Sequence, residues 1–147
     1  ASQLYEHPDE RNALVLLSDG IEDRIRGGVR PSKVSFNLLK ELARRMHAVF
    51  YAILLDPFTL VPPPGWLDRA QQNLREIARI TGGRSFRAPS LEQLEPVLPA
   101  FAEELRSVYS LGYHPAGPGE KHEWHRVEVR VRRAGARVRT RDGYFAR

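Results

Sequence analysis

The stretch that most constrains this chain is residues 13–20, ALVLLSDG. Five apolar residues run without a break and stop at Ser18, Asp19 and Gly20. A run of that length, rich in Val and Leu, fits a strand buried on both faces. Ser-Asp-Gly is turn chemistry: short polar side chains that bond nearby backbone, then a residue free to take positive φ. The pattern puts a carboxylate, Asp19, where a central strand ends. In open α/β sheets ligands bind at the carboxyl ends of strands, so Asp19 is the first candidate binding residue. The competing reading is a plain strand-ending turn whose side chain bonds local backbone.

Residues 48–55, AVFYAILL, repeat the feature and end at Asp56-Pro57. Asp56 is therefore a second carboxylate at a strand end, although Asp-Pro is also a common turn. Between the two runs, residues 21–30 read as a loop carrying Glu22 and Asp23. Pro31 and Ser32 then open a helix, with Ser32 as its N-cap. Leu38, Leu39, Leu42, Ala43 and Met46 give that helix one apolar stripe. Prolines 57, 62, 63 and 64 exclude a regular element after the second strand. A second helix is expected over 66–80, with Leu67, Ala70, Leu74, Ile77 and Ala78 inward and Gly82-Gly83 ending it. A short strand is expected over 84–87. Ser90 and Gln93 match a capping box, Pro96 and Pro99 disturb the next helix start, and Leu98, Phe101, Ala102, Leu105 and Val108 carry that helix onward. Alternating strands and helices argue for an α/β fold, a parallel sheet with helices on its faces.

The period then changes to two. Tyr109, Leu111 and Tyr113 alternate with polar residues, and so do Val127, Val129 and Val131 with Arg126, Glu128, Arg130 and Arg132. Ala134-Gly135 is a turn signal from which 138–140 can return antiparallel. The C-terminal third is thus expected to be antiparallel, with one buried face and one arginine face in water. Of the net charge of +5, the excess gathers here: residues 126–147 hold eight arginines against Glu128 and Asp142. Arg126, Arg130 and Arg132 are candidates for an anionic partner, or else a solvated strand face.

Other chemistry has little footing. There is no cysteine, which excludes disulfides, thiolate metal sites and cysteine nucleophiles. His122 and His125 are three apart, on opposite faces of a strand, which argues against joint ligation with His114. No hydrolase elbow, phosphate loop or His-Glu-x-x-His occurs, so no enzyme is expected. No apolar run is long enough to cross a membrane. Nucleic acid is not favoured, because stacking aromatics do not share the arginine face.

The order ALVLLSDG, helix, AVFYAILL and LREIARITGGRSFRA is similar to the second half of a von Willebrand factor type A (VWFA) domain. EELRSVYSLGYHP with RVEVRVRRAGARVRTRDGYF resembles the C-terminal extension of a bacterial group of VWFA-related proteins. The resemblance implies a partial Rossmann-like three-layer fold over residues 1–108 and an antiparallel extension packed on it over 109–147. It also implies a metal ion-dependent adhesion site, in which Asp19 matches the Asp after the fourth strand and Ser18, Gly20, Glu22 and Asp56 lie near the ligand. The family's Asp-x-Ser-x-Ser loop is not in this sequence. One aspartate cannot fill the six-oxygen shell of Mg²⁺, so the divalent cation is expected in a complete domain and not on this chain alone.

The expected function is a protein-interaction module of the adhesion type, with a protein partner. The alternative is a metal-independent scaffolding domain that binds an anionic partner through the arginine-rich extension. Relatives of this kind are mostly exported, which implies a periplasmic or extracellular setting, although residues 1–12 are polar and unlike a signal peptide. With no initiating Met and an early buried strand, the chain is expected to be part of a longer product. The strand 13–17 would then have an unpaired apolar edge, open to a homo-oligomer or a swapped element.

Overall fold

The computed structural model describes residues 12–19, 34–56, 64–114 and 122–146. Three parallel strands form the main sheet: β1 (Asn12–Ser18), β2 (Ala48–Leu55) and β3 (Ser85–Ala88), in that spatial order. Three helices accompany them: α1 (Phe36–Arg45), α2 (Trp66–Thr81) and α3 (Val97–Arg106). Successive β2 side chains point to opposite faces and feed two apolar layers. On one face Phe50 and Ala52 pack with Ala43 of α1 and with Ile77, Ala78 and Ile80 of α2. On the other, Tyr51 meets Phe101 of α3 edge to face, with ring centroids 4.4 Å apart. The protein is thus a mixed α/β fold, a parallel sheet flanked by helices, with a separate two-stranded antiparallel sheet.

Among the described residues only β2 has a strand on either side, and it is buried along most of its length. The equally apolar β1 differs from the sequence expectation of a strand buried on both faces. Leu14, Val15, Leu16 and Leu17 are 38%, 48%, 38% and 53% exposed. The reason is position. The register sets Leu14 and Leu16 beside Phe50 and Ala52, and Val15 and Leu17 beside Tyr51 and Ile53. Both faces of β1 therefore continue the core layers, beyond where the described helices cover them.

Helix α1 begins later than its sequence suggests. Ser35, extended at ψ 155°, is the N-cap and accepts a hydrogen bond from the Leu38 amide at 3.2 Å; Ser32 lies outside the described residues. Its inward stripe also differs: Ala43 is buried and Phe36 packs against the core, while Leu38, Leu39 and Leu42 are exposed.

The end of α2 is built by three residues. Gly82 takes a left-handed φ of 84° that stops the helix, and the Gly83 amide donates back to the Ala78 carbonyl at 2.8 Å. Thr81 turns its hydroxyl onto the Ala78 carbonyl at 3.0 Å and accepts from the Phe50 amide at 2.9 Å. A methyl at Gly83 would run into the Phe50 carbonyl. Thr-Gly-Gly thus joins the last turn of α2 to the start of β2. At the third helix no capping box forms. The Gln93 amide bonds the Ser90 carbonyl at 3.2 Å, a short 3-10 turn spans Glu92–Leu94, and α3 starts at Val97. Pro99 fits in its first turn, where an amide hydrogen has no helical partner.

The antiparallel sheet is shorter than the alternation predicts. Its ladder joins β4 (Trp124–Arg126) to β5 (Gly143–Phe145), with Trp124 opposite Phe145. The same register continues in the Val127 amide bonded to the Asp142 carbonyl at 3.1 Å and the Ala136 amide bonded to the Arg133 carbonyl at 3.2 Å. The segment between is therefore one hairpin turning at Ala134-Gly135, with Gly135 at φ 74°. Residues 109–114 form no strand, and Tyr109, Leu111 and Tyr113 are exposed. Their alternation has a polar or solvent-facing setting on both sides. Tyr113 is tied to Tyr144 through a 2.7 Å hydrogen bond between hydroxyls.

Candidate functional site

Because the three strands are parallel, their carboxyl ends share one rim. Asp19 follows directly on β1, and Ser18 pairs in register with Leu54 of β2. Asp56 follows β2, and its amide donates to the Ala88 carbonyl at the end of β3 at 3.2 Å. Ser18 and Asp19 are both half-buried. Gly20 and Glu22 lie outside the described residues.

Asp56 is held by Arg87. The guanidinium approaches side-on, with Nε to Oδ1 and Nη2 to Oδ2 both at 2.8 Å. That fork-to-fork geometry favours the charged forms of both partners. The hydrogen bonds from Arg87 hold the Asp56 carboxyl below its ordinary range, against the opposing effect of partial burial. Arg87 is shifted up for the same reason, with a further contribution from Asp68 in the first turn of α2. The pair is partly solvated, so screening keeps its contribution to about 1 kcal/mol or less.

Arg87 and Asp68 were not among the sequence candidates. The signal was present for Arg87: parallel strands ending together place the last residues of 84–87 beside Asp56. Asp68 carried no comparable signal, since its position depends on where the proline-rich connection delivers α2.

Each oxygen of Asp56 accepts one hydrogen bond from the Arg87 fork. Among the described residues no three His, Asp or Glu side chains form a group that could hold a metal ion. What the described rim offers is the Asp56 carboxylate forked to Arg87, with Asp68 acting on the same arginine and Asp19 at the end of β1.

The arginine-rich segment separates into two populations. Arg126 and Arg132 are exposed, and Arg130 is exposed with Glu128 at 2.7 Å. Two arginines on the return strand are instead docked. Arg139 reaches Glu104 of α3 at 2.6 Å, and Arg84 approaches the same carboxylate at 3.8 Å. Arg141 is partly buried, and its guanidinium donates to the Arg44 carbonyl at the end of α1 at 2.7 Å, where a cation also suits the helix dipole. Burial pulls the Arg141 guanidinium down from its usual range. Burial and the neighbouring Glu104 push the Tyr51 phenol up. Arg44 and Arg45 lie over the rings of Trp124 and Phe145, at 5.4 and 4.6 Å, so the small sheet is seated on the last turn of α1.

Among the described residues no helix is long and apolar enough to cross a membrane. Comparison with known proteins matches the chain to no family model and to no curated protein. A solved structure resembling it is the "Crystal Structure of Uncharacterized Membrane Spanning Protein from Vibrio fischeri", at TM-score 0.46 and 18% identity over 70% of this chain and 51% of that one. The chain thus spans about half the length of that structure, and a likeness of this size carries no argument about function.

Proposed function

We propose that this chain is a protein-interaction module whose main contact is the outer side of β1. One observation carries the reading: four consecutive large apolar residues, Leu14 to Leu17, stand 38–53% exposed on a strand that is at the edge of the sheet formed by the described residues. An edge strand offers unpaired backbone donors and acceptors to an incoming strand. Apolar side chains on both its faces add burial to that pairing, the combination used in strand addition. The incoming strand is a polypeptide segment, from another protein, a second copy or a longer product of which this chain is part. The resemblance to VWFA domains supports the same surface, because the corresponding strand lies inside the sheet there. In a completed domain Asp19 would contribute one oxygen ligand to the family's cation, from the strand end.

The test is light scattering across concentration for the chain and for a Val15→Lys/Leu17→Lys variant. Lysines on an edge strand discourage pairing and, at these exposed positions, leave the β2 core untouched. The native chain should associate and the double variant should stay monomeric with unchanged far-ultraviolet circular dichroism. A native chain that remains monomeric to its solubility limit, with β1 slow to exchange its amides, would overturn the reading.

A further inference from the structure

The hairpin tip is a second surface, distinct from the β1 edge. Residues 130–138 read RVRRAGARV, four arginines in nine residues with no acid and no aromatic. Every residue in this stretch is exposed. Arg130 meets Glu128, and Arg132, Arg133 and Arg137 have no acidic partner among the described residues. The Ala136 amide bonds the Arg133 carbonyl across the turn and Val127 bonds Asp142 at the base, and by residue count Val131 and Val138 are equidistant from the turn. Those two valines are 52% and 40% exposed. By the same count Arg132 matches Arg137. The tip thus presents an exposed valine pair together with exposed cations beside it and around the turn.

We propose that this tip binds the surface of an anionic lipid bilayer. Arginines engage headgroup phosphates through forked hydrogen bonds, and the valines rest at the boundary between headgroups and acyl chains. Three features separate this occupant from other anions. A nucleic-acid backbone gives the exposed valine pair nothing to bury against. Single-strand binders stack bases on aromatic rings, and the tip has none. A single free phosphate is held in a concave nest of donors, whereas this is a convex turn. The docked arginines Arg139 and Arg141 and the ring contacts of Arg44 and Arg45 fix the hairpin base to the α/β core, so the tip is presented on a firm stem.

The experiment is co-sedimentation of the full chain with vesicles of phosphatidylcholine alone and of phosphatidylcholine mixed with phosphatidylglycerol. The chain should bind the anionic vesicles and release as NaCl rises from about 50 to 500 mM, where screening shortens to a few ångströms. An Arg132→Gln/Arg133→Gln/Arg137→Gln variant should raise the lipid needed for half-maximal binding roughly a hundredfold. A Val131→Ser/Val138→Ser variant should weaken binding several-fold while keeping its salt dependence. Equal binding to neutral vesicles would assign the affinity to the apolar β1 edge and overturn the proposal. So would an unchanged glutamine variant, tighter binding to a homopolymer RNA than to the vesicles, or release by inorganic phosphate beyond an ionic-strength-matched NaCl control. The outcome is independent of the light-scattering test, since the Val15→Lys/Leu17→Lys variant keeps the hairpin intact.

Discussion

At the scale of single residues, the corner between α2 and β2 is the least forgiving place in the molecule. Gly83 has no room for a methyl beside the Phe50 carbonyl. The Gly83→Ala variant should lose about 3 kcal/mol in urea unfolding, because backbone and not a flexible side chain must yield. Thr81→Val removes the acceptor of the buried Phe50 amide and should cost about 1–3 kcal/mol, with Thr81→Ser restoring most of it. Asp56 gives a pH signature. Its carboxyl is held low in the fold by Arg87, so the unfolded chain takes up protons first as pH falls. The pair's contribution is whole above the ordinary aspartate pKa of about 3.9 and disappears as pH drops through the lowered native value. Asp56→Asn should flatten the acid limb of the stability curve below about pH 4 and leave neutral stability within about 1 kcal/mol. The sequence displayed each of these residues without their partners. Asp56 stood out as a strand-end carboxylate, but its forked pairing needs the β2 and β3 register, which no local window contains.

At the scale of elements, legibility followed how much of an element's environment lies within its own sequence. β2 is bounded by turn residues and covered on both faces, so its run of eight apolar residues is read directly. β1 carries the same composition, yet its exposure is decided by what lies beside it across the sheet. In α1 the leucine-rich stripe suggested the inward face, but packing against α2 and β2 selects Phe36 and Ala43. The hairpin was visible from its turn and alternation, whereas the division of its arginines into docked and solvent-facing sets depends on Glu104 and the end of α1. Ser35→Ala removes the N-cap bond to the Leu38 amide and should cost about 1 kcal/mol, read from the urea midpoint.

At the scale of the whole molecule, the described residues form a core around one strand, β2, with helices on both sides and a small sheet seated on α1. The fold class was legible because strand and helix periods alternate along the chain. The rim site was legible only as far as Asp19 and Asp56, since Arg87 and Asp68 are assembled by topology. The metal expectation is tested at this scale. A ligand that binds only the folded chain raises its stability in proportion to the logarithm of occupancy. Millimolar Mg²⁺ and excess chelator should therefore give the same thermal midpoint for this chain, and a rise with Mg²⁺ would mean that it assembles a cation site unaided.

The seating of the hairpin has a geometric consequence. The Asp142 amide bonds the Ile80 carbonyl at 3.3 Å, and Gly82 lies against the Arg141 backbone. These contacts are at the end where β2 begins, while Asp19 and Asp56 are where strands finish. The hairpin base and the two strand-end carboxylates thus belong to opposite ends of the sheet. On the two proposals made above, the chain would join a polypeptide at the β1 edge to a lipid surface at the hairpin tip.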